Sequence, residues 1–228
     1  MVMRTHALSE AERASVTQAV VAAEVGTDAE IVTIVAPRSD PYHDVALHFG
    51  IAAMLLVAGM AALNPAAIEG KIAWFSDGWQ GGVNLGRSFF ALMLAEAVIF
   101  LIVRFALAWA PLRLALTPRA VRSRRVRRRA IQYFKVGTER RTETRIGVLL
   151  YLSLDERMAE IVADQAIHAK VPAERWGDAM AAMLDHVRAG RPAEGMIAAV
   201  ERIGTIVAEH FPKTAGDANE LPDRLIEL

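Results

Sequence analysis

The chain contains no cysteine, so neither a disulfide framework nor a thiolate nucleophile or thiolate metal site is open to it. Net charge is missing too, with 26 basic residues against 26 acidic ones. That balance excludes no partner class, because it sums opposed regions: arginines crowd the stretch Arg113 to Arg129, while the segment after Tyr151 is rich in Asp and Glu. The opening MVMRTHALSEAERAS lacks an apolar core and a small-residue cleavage site, which excludes a secretory signal. The histidines, His6, His43, His48, His168, His186 and His210, show no HExxH or comparable spacing and support no zinc motif. Gly81, Gly82 and Gly86 lie away from any strand-to-helix junction, which argues against a phosphate-cradling loop.

What the chain does have is two long apolar stretches, Ala46 to Leu63 and Phe89 to Trp109. A hydrocarbon core about 30 Å thick takes roughly 20 helical residues to cross, and both stretches approach that length. The first contains no full charge; the second carries Glu96 near its middle and Arg104 towards its end, where a long basic side chain can snorkel. Beyond Trp109 come Arg113, Arg119, Arg122, Arg124, Arg125, Arg127, Arg128 and Arg129, whereas the loop 64–88 offers only Lys71 and Arg87 as basic residues. That asymmetry predicts a transmembrane hairpin over 46–110 in a bacterial inner membrane, with both termini cytoplasmic and the loop outward. Trp74, Phe75 and Trp79 in that loop have the amphipathic character of interfacial anchors.

The arginines Arg122, Arg124, Arg125, Arg127, Arg128 and Arg129 are therefore read as topology determinants and as contacts for anionic lipid headgroups. Nucleic acid is rejected as their partner on position alone. Glu96 is the costly residue, since an ionised carboxylate at mid-span costs roughly 3 kcal/mol. It should be protonated, paired, or turned towards another helix. A contact between copies, which would make a homo-oligomer, is one solution, assisted by the small residues Gly50, Ala53, Ala58 and Ala62. Two spans offer too little polar lining for a transport pore.

Outside the hairpin, residues 1–45 supply one helix and one strand, too little to bury a core unaided. Ser9 and Glu12 have capping-box spacing, and Val16, Ala19, Val20 and Ala23 recur at helical intervals up to Gly26. A β-branched strand follows over Ala29 to Val35. The remainder, 111–212, predicts an arginine-rich helix from about Pro118 to Val136 and a two-face-buried strand from Ile146 to Leu152. A third strand is expected over Met158 to Asp164, with Glu160, Val162 and Asp164 on one face and Ala159, Ile161 and Ala163 on the other. Its charges suit an edge strand. Helices over Ala173 to Ala189 and Ala193 to His210 complete the unit, and 213–228 loses periodicity and is expected as a mobile tail. The fold class predicted is α/β, a three-layer sandwich with a small mixed sheet, interrupted by the two-helix transmembrane hairpin.

These residues resemble the TPM domain family, whose members include thylakoid-lumen phosphatase-like proteins, a photosystem II repair factor and a receptor modulator. The resemblance is carried by Ala29-Glu30-Ile31-Val32, by Thr144 through Leu152, and by the following SLDERMAEIVADQAI. It continues through Trp176, Met180 and Arg188-Ala189-Gly190 to Ile203-Gly204, and looks most like the bacterial membrane-embedded branch. The family resemblance implies either a role in membrane-protein maintenance or an acid phosphatase activity dependent on a divalent cation such as calcium.

Open α/β sheets bind ligands outside the carboxyl ends of their strands. Asp40 follows the first strand and Asp155 with Glu156 follows the second, so parallel pairing would bring these carboxylates to one edge, where they could coordinate a hard cation such as Ca2+ through oxygen ligands. Against that stands the preference of Asp for solvated turns. No nucleophile-and-base pair is visible. The favoured function is a membrane-anchored cytoplasmic interaction module engaging lipid and other membrane proteins, with a divalent-cation-dependent acid phosphatase as the alternative.

Overall fold

A computed structural model describes residues 8–66, 70, 85–137, 146–214 and 224–228. In chain order its elements are α1 (Glu10–Glu24), β1 (Glu30–Ala36), α2 (His43–Leu63), α3 (Leu85–Ala106), α4 (Ala110–Leu116) and α5 (Arg119–Gly137). Then follow β2 (Gly147–Ser153), β3 (Met158–Ala163), α6 (Gln165–Lys170), α7 (Ala173–Arg188), α8 (Pro192–His210) and β4 (Ile226–Glu227). The chain divides into two compact units, one made of Met1–Asp40 with Arg119–Leu228, the other of Pro41–Pro118.

The discontinuous unit is built on a four-stranded mixed sheet ordered β3-β2-β1-β4. β1 and β2 are parallel, Glu30 facing Gly147 at one end and Ala36 facing Ser153 at the other. β3 returns antiparallel along β2. Both central strands are buried along their whole length, which the alternation of side chains converts into two separate cores. Ile31, Val35, Val148, Leu150 and Leu152 pack on one face with Val16 and Val20 of α1, Met183 of α7, and Met196, Val200 and Ile203 of α8. Val32, Ile34, Leu149 and Tyr151 pack on the other with Val126, Ala130 and Phe134 of α5. The sheet thus lies between two helical layers, the three-layer α/β arrangement.

Local chemistry sets the edges of these elements. Ser9 and Glu12 form the capping box of α1, with Ser9 Oγ accepting from Glu12 N at 3.3 Å and Glu12 Oε2 accepting from Ser9 N at 2.8 Å. α8 meets α1 closely at Gly204, where an added Cβ would lie 2.7 Å from Ala23 Cβ. β3 stops one residue earlier than its pattern suggests. Asp164 turns back, buried, and its Oδ2 accepts from Gly147 N at 2.7 Å, which ties off the start of β2. Glu160 is half-buried on the face of β3 that α5 covers, and burial pushes its carboxyl above the ordinary value, an effect that the Arg127 charge opposes.

The expectation of a mobile tail after Pro212 is corrected for the residues the structure describes. Thr214 donates through its backbone N and its Oγ1 to Asp28, at 2.8 and 2.7 Å, which holds that carboxyl below its ordinary value. Leu225 is buried in the larger core and β4 pairs in parallel with the end of β1. The reason is that β1 would otherwise present an unpaired edge, which a short strand satisfies without any periodicity of its own.

In the continuous unit, α2 and α3 have 21 and 22 residues, enough at about 1.5 Å per residue to cross a bilayer, and both are apolar enough to do so. Gly50, early in α2, meets the ring of Phe100, late in α3; an added Cβ would lie 2.8 Å from that ring. The two helices therefore run antiparallel, as a hairpin. Their facing stripes are Gly50, Ala53, Met54, Val57 and Ala58 on α2, and Ala91, Leu92, Glu96, Ile99 and Phe100 on α3, all more covered than their neighbours. The opposite faces carry Leu55, Leu56, Met60, Phe89, Phe90 and Phe105, exposed. The short α4 was not evident from the sequence. Its buried Arg113 donates to Leu107 O at 3.1 Å. Lys71, Trp74, Phe75 and Trp79 lie outside the described residues.

Candidate functional site

The chain leaves β1 through Pro37-Arg38-Ser39-Asp40 and leaves β2 through Leu154-Asp155-Glu156-Arg157. Because the strands are parallel and in register, these exits run side by side: Leu154 N donates to Ala36 O at 3.0 Å and Asp155 N to Pro37 O at 2.9 Å. Arg157, at φ 51°, sits in the left-handed region where the second exit turns back into β3. Asp40, Asp155 and Glu156 are thereby brought to one end of the sheet.

Each of the three carboxylates meets a donor of its own. Asp155 Oδ2 accepts from Arg38 Nε at 2.8 Å and from Arg38 Nη2 at 2.6 Å. Asp40 Oδ1 accepts from Arg125 Nη1 at 2.7 Å. Glu156 is 3% exposed; its Oε1 accepts from Ser39 N at 3.0 Å and its Oε2 from Ser153 Oγ. Ser39 Oγ in turn lies 3.0 Å from Tyr151 OH, and Arg129 Nε donates to Ser39 O at 2.9 Å. Arg129 also covers the Tyr133 ring, whose centroid is 5.9 Å from that of Tyr151. Burial pushes the Tyr151 hydroxyl up to about 12, against the lowering effect of its bond to Ser39.

This donor set does not fit a calcium ion. Ca2+ takes six to eight oxygens, whereas these oxygens face guanidinium, N–H and O–H donors, and a guanidinium repels a cation. Among the described residues no group of three or more His, Asp or Glu is arranged to hold a metal. Both hydroxyls beside the carboxylates are covered: Ser153, which donates to Glu156, is fully buried, and Ser39 is 2% exposed. Asp40 and Arg125 are 85 residues apart in sequence, Ser39 and Arg129 are 90 apart, and the Pro41–Pro118 unit lies between them. The network is a clasp that fastens the last residues before the insertion to the first helix after it.

The clasp divides the arginines that the sequence grouped together. Arg125 and Arg129 point into it, and Arg122 is half-buried. Arg124, Arg127 and Arg128 are exposed. Arg38, Ser39, Tyr151 and Ser153 were not singled out from the sequence. A signal existed once β1 and β2 are aligned, since continuing the register past Ala36 and Ser153 puts Arg38 opposite Asp155.

Comparison with known proteins agrees with the resemblance drawn from the residues. Residues 113–206 match the family model described as the TPM domain. The NMR structure of the BA42 protein from the psychrophilic bacterium Bizionia argentinensis is similar over 100% of both chains, with a TM-score of 0.56 and 15% identity, which shows the fold alone. No curated protein matches the chain.

Proposed function

We propose that this TPM-domain chain is anchored in a membrane by the α2–α3 hairpin, with both termini cytoplasmic, and that its α/β unit works there without catalysis, engaging other membrane proteins. One observation carries the reading. Two helices of spanning length expose Leu, Met and Phe along their outer faces, and in sequence they are inserted between the two segments that make up the α/β unit. An apolar surface of that extent is a liability in water and a requirement in lipid. Insertion of an even number of spans leaves both halves of the α/β unit on one side, which the continuous β1–β2 pairing demands. The absence of catalysis rests on the clasp, in which carboxylates and hydroxyls satisfy one another and two arginines.

The test is an alkaline carbonate wash of membranes carrying the full chain, followed by gentle solubilisation, affinity capture and a phosphomonoester hydrolysis assay on the same sample. The expected result is retention in the membrane pellet, co-purifying membrane proteins and no hydrolysis. Release by carbonate would contradict the anchoring. Hydrolysis that disappears in Asp155→Asn would contradict the non-catalytic role.

A further inference from the structure

The clasp fixes which way α5 faces, and its outward face is cationic. Val126, Ala130 and Phe134 are buried against the sheet, and Arg125 and Arg129 reach sideways to Asp40 and Ser39. At 100° per residue the opposite side of the helix is led by Arg124, Arg128 and Lys135, all exposed, and Arg124 to Lys135 covers about 16 Å of helix axis. Arg127 stands on the flank nearer Glu160, whose carboxyl feels its charge. No acidic residue occurs anywhere between Arg104 and Gly137 to neutralise this line. It begins 18 residues after the last residue of α3, within the distance from a span end over which basic residues act on a membrane.

We infer that the Arg124, Arg128 and Lys135 face of α5 is a docking surface for anionic lipid headgroups in the membrane that holds the hairpin. This rests on the anchoring proposed above and goes further, because it separates the arginines into two jobs: Arg125 and Arg129 hold the fold, while Arg124, Arg128 and Lys135 hold the fold to the lipid. A line of point charges with little aromatic character suits phosphate groups in the plane of a leaflet. Nucleic acid presents the same phosphate chemistry from a different source, and the experiment distinguishes the two.

The lack of cysteine makes a single labelling site possible. Gln132, exposed on α5, is changed to Cys in the full chain, labelled with a fluorophore, and the chain is reconstituted into nanodiscs containing a headgroup-spin-labelled quencher lipid. Discs of phosphatidylcholine alone are compared with discs containing about a third phosphatidylglycerol, at low and high salt. The inference predicts at least twofold stronger quenching in the anionic discs, reversed by high salt and lost in Arg124→Gln/Arg128→Gln/Lys135→Gln. Three cations removed from a charged surface lower its occupancy on the order of a hundredfold. Equal quenching in both lipids, for a chain retained in the discs, overturns the inference and leaves the anchoring standing. Failure to enter discs of either kind overturns both. Quenching indifferent to lipid charge, together with binding of an RNA oligonucleotide that the triple variant loses, assigns the face to nucleic acid and overturns the lipid assignment. The wild-type comparison between lipids stands whether or not the triple variant folds.

Discussion

Glu156 decides whether the end of the sheet is a clasp or a cation site. Its carboxylate accepts from Ser39 N and Ser153 Oγ and is buried, so Glu156→Ala strands two buried donors, each costing about 1–3 kcal/mol. The expected loss is about 2–6 kcal/mol, read by denaturant unfolding of the solubilised chain without added metal. Calcium should leave the melting temperature of the wild type unchanged; a rise that Asp155→Asn abolishes would restore the cation site. Glu160 gives a second residue-scale prediction, with its sign set by burial. Its folded carboxyl keeps a proton above the ordinary value of 4.5, so its contribution is fully present below that pH and is lost as pH rises through the folded value. Glu160→Gln should therefore be more stable than the wild type at pH 7, and the gap should close as pH is lowered towards 4.5. Equal stability of the two at both pH values would contradict the buried placement.

At the scale of elements, the long strands and helices were legible because their burial is periodic or continuous. Ala29 to Val35 reads as a β-branched strand and Ile146 to Leu152 as one buried on both faces; the two pair in parallel, and both are buried along their whole length. The alternation along β3 correctly separates Ala159, Ile161 and Ala163 from Met158 and Val162 on the opposite core. β4 was illegible because two residues carry no period, and its formation depends on an edge that belongs to β1. The clasp was half legible. The acidic residues after each strand stand out in the sequence, but the arginine that neutralises Asp155 lies 117 residues away, and Arg38 alone reads as an ordinary solvated turn residue. Pairing across the insertion is tested by Ile34→Asp. Ile34 is 5% exposed against the α5 layer, so a carboxylate there should destabilise the α/β unit by several kcal/mol. Limited proteolysis should then cut within 150–210, far from the mutation in sequence. Unchanged protection of that region would show that the two segments do not share a core.

At the scale of the whole molecule, one fold is made from two stretches of chain with an apolar helix pair between them, and the reading of its function follows from that arrangement. Glu96 belongs to the same picture: it is only partly exposed, and under the proposed anchoring a place on the covered side of α3 would lower the cost of its carboxylate. The orientation proposed for the chain rests on the arginine excess after the second apolar helix, read by the positive-inside rule. Reporter fusions in intact cells test the arrangement most directly, using an enzyme active only outside the cytoplasm, joined at residue 78 between the spans or at residue 228. The account predicts activity for the fusion at 78 and none for the fusion at 228. Activity at 228 with none at 78 would contradict it.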